Sequence, residues 1–169
     1  NTYNYLYSPI IGYASDKYGK SGIEQRFNRE LLDIPTGSDF VTRLEDIYKK
    51  GDRGKDVFLT IDSEIQAYMY DLLEGYRGAI VVIDPSNGDI LAMVSRPTFN
   101  INSLDESWND LVNSDDGVLL NRATQGLYAP GSTFKVISAI SLLEKGVDLD
   151  YVDKGSTTID GYKIRNLFG

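Results

Sequence analysis

The 169-residue sequence contains no cysteine and no histidine. The lack of cysteine excludes disulfides and thiol catalysis, and the lack of histidine excludes a Ser-His-Asp triad and the commonest metal ligand. No apolar run reaches the length of about eighteen residues that a membrane-spanning helix needs, and no signal peptide is recognisable. Any nucleophilic serine in this chain must therefore use a base other than imidazole.

Positive charge is also scarce. The chain has 17 basic and 25 acidic residues and a formal net charge of -8. Nucleic-acid binding needs a basic face, so we expect no nucleic-acid partner, and we expect no cofactor or metal site. The apolar content of 41% is ordinary for a folded protein, and the length suggests one or two domains.

The most informative segment is Tyr-Ala-Pro-Gly-Ser-Thr-Phe-Lys at residues 128–135. Pro130 and Gly131 are poor helix formers, and the residues after them have apolar side chains at helical spacing up to a glycine stop at Gly146. The sequence therefore predicts a helix with Ser132 in its first turn. The unpaired N–H groups of a first turn are suited to form part of an oxyanion hole.

Lys135 follows Ser132 by three residues and shares a helix face with it. Once neutral, its amine is placed to act as the base for the Ser132 hydroxyl. Partial burial among apolar neighbours and the positive end of the helix dipole would both disfavour the ammonium form. Ser-x-x-Lys alone is a weak pattern, because a capping serine and a solvated lysine produce the same spacing.

The flanking residues make the motif more specific. Tyr-x-Pro-Gly-Ser-Thr-Phe-Lys resembles the first active-site motif of the penicillin-binding proteins, specifically the class B D,D-transpeptidases that cross-link bacterial peptidoglycan. Four upstream segments resemble the same family in the same order: residues 22–31, residues 59–62 with Gln66, residues 79–93, and residues 96–99 with Asn102.

The resemblance implies roles for both motif residues. Ser132 would be the nucleophile that attacks the penultimate D-alanine carbonyl of a peptidoglycan stem peptide, and also the residue acylated by beta-lactam antibiotics. Lys135 would be its general base. The resemblance also implies a place on the outer face of the bacterial cytoplasmic membrane, through an anchor upstream of Asn1, with other cell-wall synthesis proteins as further candidate partners.

The chain departs from the family pattern after Lys135. Members carry two more motifs, Ser-x-Asn and Lys-Thr-Gly, and neither occurs between Lys135 and Gly169. Together with a start at Asn1, this indicates a piece cut from a longer protein. The Lys-Thr-Gly strand would supply the other oxyanion donor and the groups that hold the substrate carboxylate. We therefore expect the chain alone to be inactive.

The coarse pattern predicts an α+β fold, with a sheet and packed helices. We expect a helix from Ser21 or Gly22 to Leu32 and a helix capped by Asp62 or Ser63 that runs to Leu73. Residues 40–48 fit a helix or a strand, and the turn after them favours a strand. A hairpin should pair residues 79–83 with 90–94 and support the helix that carries Ser132.

We expect residues 1–55 to form a partial pedestal or linker region and residues 56–169 to form the opening part of a transpeptidase domain. Five tyrosines crowd the first eighteen residues and pack either in a local core or on missing sequence. Two other functions stay open. One is a serine beta-lactamase or beta-lactam sensor with the same Ser/Lys pair, and the other is a non-catalytic scaffold of the cell-wall synthesis machinery.

Overall fold

The computed structural model describes residues 4–32, 54–148, 150 and 152–166. The chain forms two compact units, Asn1–Leu127 and Tyr128–Gly169. Both combine helices with antiparallel strand pairs, which confirms the α+β prediction. The strand expected near residues 40–48 lies outside the described residues.

The first unit contains six α-helices and four strands within its described residues. The helices are α1 Ser8–Ile11, α2 Gly22–Arg26, α3 Asn28–Leu31, α4 Ser63–Leu72, α5 Leu104–Val112 and α6 Arg122–Gln125, and a 3-10 turn at Ile101–Ser103 precedes α5. The strands are β1 Ala14–Ser15, β2 Gly19–Lys20, β3 Gly78–Ile83 and β4 Ile90–Arg96.

The central element is the predicted hairpin of β3 and β4. Its register runs from Gly78 opposite Arg96 to Ile83 opposite Ile90, with an irregularity at Val82/Ile83. Strand β4 is buried along much of its length, and the core of the unit lies along it. The buried apolar side chains are Ala92 and Val94 on β4, Phe99 just after it and Leu104 at the start of α5.

The hairpin turn is built as its sequence predicts. Gly88 has a positive φ of 82°, and its N–H donates to the Asp84 carbonyl over 2.8 Å. The Asp84 carboxylate accepts the Ser86 N–H, also over 2.8 Å. Hydrogen bonds from the Ser86 side chain and then from its backbone lower the pKa of Asp84.

Helix α4 begins where its cap residue predicts. The Asp62 carboxylate accepts the N–H groups of Glu64 and Ile65, each over 2.9 Å. The buried residues of α4 are not all those that its apolar periodicity predicts. Leu72 is 52% exposed, whereas the polar Gln66 is fully buried.

Gln66 is buried because its side-chain amide forms hydrogen bonds with the backbone at the edge of β4. Its Nε2 donates to the Leu6 and Met93 carbonyls over 2.8 and 2.9 Å, and its Oε1 accepts the Met93 N–H over 2.8 Å. The side chain thus pairs with both backbone groups of Met93, as a neighbouring strand would. It also ties the N-terminal segment to the sheet.

The helix predicted from residue 22 to 32 is present but divided. It ends at Arg26 and resumes at Asn28, because Phe27 between them has φ -107° and ψ 21°, outside the helical region. The apolar spacing correctly indicated which residues form helix. It contained no signal for the break.

Further hydrogen bonds join residues 4–32 to the segments that follow β4 and precede α6. The hydroxyls of Ser8 and Thr98 lie 2.6 Å apart, and Asn121 Nδ2 donates to the Pro9 carbonyl over 2.8 Å. The described part of residues 1–55 therefore shares one compact unit with residues 56–127. The boundary near residue 55 does not coincide with a division between compact units, and the assignment of a pedestal region stays a prediction.

Two of the N-terminal tyrosines pack on the single tryptophan of the chain. The Tyr18 and Trp108 rings stack with their centroids 4.1 Å apart. Tyr13 meets Trp108 edge-on at 5.6 Å and Phe99 at 6.2 Å. For these two residues, the alternative of a local aromatic core is therefore correct.

We expect Tyr18→Ala to lower the free energy of unfolding by about 1–2 kcal/mol, since it removes the stacked ring and part of its apolar burial. Denaturant titration followed by Trp108 fluorescence measures this loss. Tyr76→Ala is the matched control, because Tyr76 is 71% exposed and should change stability little. Equal losses in the two variants would contradict a stabilising role for the stack.

The second unit is the shorter of the two. It has a 3-10 turn at Gly131–Phe134, then α7 Lys135–Glu144, and then strands β5 Ser156–Ile159 and β6 Tyr162–Arg165. The two strands pair antiparallel from Ser156 opposite Arg165 to Ile159 opposite Tyr162. In the part of the chain that the structure describes, no helix has the length and apolar character that a membrane crossing requires.

Candidate active site

The predicted nucleophile lies in the turn that leads into α7. Ser132 is the second residue of the 3-10 turn Gly131–Phe134, one turn earlier than the α-helix proper. Gly131 has a positive φ of 56°, which glycine adopts without strain. The Thr133 hydroxyl donates to the Pro130 carbonyl over 2.6 Å and stabilises the turn.

The 3-10 geometry improves the match between Ser132 and Lys135. Side chains three residues apart eclipse one another in a 3-10 turn, whereas in an α-helix they are offset around the axis. Lys135 is the first residue of α7 and closes the same turn. This backbone geometry is compatible with two side chains on the same side of the helix start, and their pairing stays a prediction. Among the described hydrogen bonds, none joins them.

The Ser132 N–H is available for a ligand. In the described part of the chain, the Thr133 N–H donates to Pro130 and no acceptor is recorded for the Ser132 N–H. A free N–H next to a nucleophilic hydroxyl has the position of an oxyanion-hole donor. The turn thus brings the predicted nucleophile, a candidate base and one candidate donor within four residues.

The second unit does not bury Lys135. The described side chains of α7 are all exposed, and Lys135 is among them. The apolar neighbours share this exposure, with Val136 at 65%, Ile137 at 57%, Ile140 at 51% and Leu143 at 61%. Within this unit Lys135 is thus not buried, and its partial burial in the intact site stays a prediction. Apolar side chains are present beside the lysine, but nothing in the unit covers them.

In the first unit, sequence reasoning missed the role of Arg122. Its guanidinium is buried and donates to the Gly117 carbonyl over 3.1 Å and to the Asp116 carbonyl, and its backbone N–H donates to the Ser95 hydroxyl over 3.1 Å. That hydroxyl in turn donates to the Leu120 carbonyl over 3.0 Å. A lone arginine among small and polar residues has no periodicity that signals burial. The network holds the chain of residues 120–122 beside β4.

Comparison with known proteins agrees with the motif. Residues 78–166 match the penicillin binding protein transpeptidase domain, which is more than half of the chain. The peptidoglycan D,D-transpeptidase MrdA of Escherichia coli K12 is 36% identical over 148 residues, which cover 79% of this chain and 23% of MrdA. The peptidoglycan D,D-transpeptidase PbpA of Mycolicibacterium smegmatis is 36% identical over 157 residues, which cover 83% of this chain and 31% of PbpA.

The fold agrees as well. The penicillin G acyl-enzyme complex of penicillin-binding protein A from M. tuberculosis superposes with a TM-score of 0.78 at 31% identity, over 96% of this chain and 41% of that one. The chain belongs to the penicillin-binding protein transpeptidase family, and its resemblance to the class B members is confirmed. It spans 23% and 31% of the length of the two curated relatives named above.

Proposed function

We propose that the protein carrying this chain is a peptidoglycan D,D-transpeptidase that reacts through Ser132. The observation that carries the proposal is the 3-10 turn, in which Ser132 is the second residue and which leads directly into Lys135 at the start of a helix. The family match and the acyl-enzyme complex of a similar fold support it. Its substrates are stem peptides of peptidoglycan, and beta-lactams acylate the same serine.

The chemistry is a two-step acyl transfer. Ser132 Oγ attacks the carbonyl carbon of the penultimate D-alanine while Lys135 Nζ, in its neutral form, accepts the hydroxyl proton. The peptide C–N bond then breaks, and the terminal D-alanine leaves with the proton from Lys135. The amino group of a neighbouring stem peptide next attacks the serine ester, and Ser132 regains its proton. No external oxidant, reductant or cofactor enters this balance.

The exposed face of α7 supports a role within a larger protein. Within the second unit no side of this apolar helix is covered, and such a surface gains free energy when it is buried. We propose that further sequence of the parent protein, bearing the Ser-x-Asn and Lys-Thr-Gly motifs, covers this helix. That cover would supply the desolvation that a neutral Lys135 requires.

The place of the reaction is proposed from the relatives. Peptidoglycan synthesis enzymes such as the relatives act outside the cytoplasm, and we propose the same for this protein, with a membrane anchor upstream of Asn1.

A beta-lactamase or sensor function predicts a different fate of the acyl-enzyme. The D,D-transpeptidase names of the relatives favour the slow deacylation of a transpeptidase over fast turnover of the drug.

The test of the base is Lys135→Ala in the full-length parent protein. We expect the rate of labelling by a fluorescent penicillin to fall about a hundredfold to ten-thousandfold, which is the usual contribution of a general base. Lys145→Ala, at the end of the same helix, is the control and should label at the normal rate. A normal rate in the Lys135 variant would exclude Lys135 as the base.

A second test separates the chain from its parent protein. The 169-residue chain should show no labelling by fluorescent penicillin, whereas the full-length protein should be labelled on one serine. Mass spectrometry of the labelled peptide identifies the residue. Labelling of the isolated chain at Ser132 would show that the downstream motifs are dispensable for acylation.

A further inference from the structure

A cleft of about 410 Å³ lies in the first unit, and no residue of the acyl-transfer motif lines it. It opens where the N-terminal helices meet the edge of β4 and the segment around α6. Its walls are mainly apolar and include Ile10, Phe27, Ile61, Ile90 and Leu119. This volume and lining fall in the range of small-molecule sites, which measure about 300–1,000 Å³ and have few polar groups.

Most polar groups in the wall already have partners. The Thr60 hydroxyl donates to the Ile90 carbonyl over 2.8 Å. The amide of Asn121 donates to the Pro9 carbonyl and accepts the Ala123 N–H over 3.1 Å. A ligand in the cleft would therefore find few unsatisfied polar atoms around it. Its body must be apolar, because a buried polar group without a partner costs free energy.

Arg26 is the exception. It lines the cleft, is exposed, and its guanidinium carbon lies 5.8 Å from the Phe27 ring centroid. Within the described part of the chain it has no recorded ion pair or hydrogen bond. The fold thus places one unpaired cation beside an apolar cleft in a protein whose net charge is -8. Charge complementarity selects a ligand with a single acidic group at this position.

We propose that the cleft binds a small amphiphilic acid, with a compact aromatic or branched apolar body in the cleft and a carboxylate or sulfonate on Arg26. The site is separate from Ser132 in sequence and does not depend on the acyl-transfer function. A bound ligand would contact both the N-terminal segment and β4, so it would stabilise the first unit against unfolding.

The probe pair for the test is naphthalene-2-carboxylate and the neutral 2-naphthamide, which share one ring system and differ in charge. The intact protein is labelled with carbon-13 at the isoleucine and methionine methyl groups and titrated by NMR. We expect both probes to shift the Ile10, Ile61, Ile90 and Met93 methyl signals. The carboxylate should bind about fivefold more tightly, as a single exposed ion pair allows, and added salt should remove this preference.

Two arginine variants complete the design. Arg26→Gln should abolish the preference for the carboxylate and leave the amide affinity unchanged, and its fold is at low risk because Arg26 is exposed. Arg29→Gln, on the exposed surface of α3, should keep the preference. Shifts confined to Ile137 and Ile140 on α7, no binding of either probe, or an unchanged preference in Arg26→Gln would each overturn the proposal.

Discussion

Replacement of Ser132 by alanine is expected to remove beta-lactam acylation from the full-length parent protein. If the hydroxyl is the nucleophile, its loss leaves no atom to form the ester, so labelling by a fluorescent penicillin should fall below about one thousandth of the wild-type level. The rate of labelling, measured by gel fluorescence over time, is the quantity to compare. The thermal midpoint should stay near the wild-type value, because Ser132 is exposed and no side-chain hydrogen bond of it is recorded among the described residues.

Ser138 provides the matched control. It lies on α7, six residues after Ser132, and its hydroxyl donates to the Phe134 carbonyl over 3.3 Å. Ser138→Ala removes an identical atom from an equally exposed position, so labelling should be unchanged. Full labelling of the Ser132 variant would refute the assigned nucleophile. Loss of labelling in both variants would indicate a general effect on the helix.

Replacement of Gln66 by methionine is expected to lower the free energy of unfolding by about 3–5 kcal/mol. Methionine has a similar length but no amide, so the carbonyls of Leu6 and Met93 and the Met93 N–H lose their recorded side-chain partner. Buried backbone groups without partners account for most of the expected loss. Denaturant titration with Trp108 fluorescence reports on the same unit and measures the change.

Gln25→Met is the control for Gln66. Gln25 is exposed on α2, so the same substitution there should change stability by about 0.5 kcal/mol or less. A loss below about 1 kcal/mol at Gln66 would mean that the three backbone groups find other partners, such as water, in the variant. The amide would then not be the contact that holds the N-terminal segment on the sheet.

Local signals were sufficient for several elements. Asp62 ahead of an apolar-periodic stretch predicted the start of α4, and the Pro-Ser-Asn-Gly run at residues 85–88 predicted the hairpin turn. These signals work because a cap or a tight turn is made by groups only two to four residues apart in the chain. The motif at residues 128–135 was equally local, and the family it indicated is confirmed.

Other features depended on residues far apart in sequence. Gln66 is polar, so periodicity places it at the surface, yet it is buried because its partners Leu6 and Met93 lie 60 and 27 positions away. Arg122 is buried for a related reason, since its carbonyl partners come from the loop before it and its N–H meets a hydroxyl on β4. No pattern within either helix signals such partners.

The sequence by itself was enough to predict the pairing of Ser132 with Lys135, because residues three apart at a helix start share a helix face whatever surrounds them. It also determined the family, through ordered motifs. Only the tertiary structure decided the surroundings: the 3-10 turn that aligns the pair, the exposure of Lys135, and the attachment of the N-terminal segment through Gln66 and Asn121. Burial is a property of all the segments that meet at a point, and a local pattern contains only one of them.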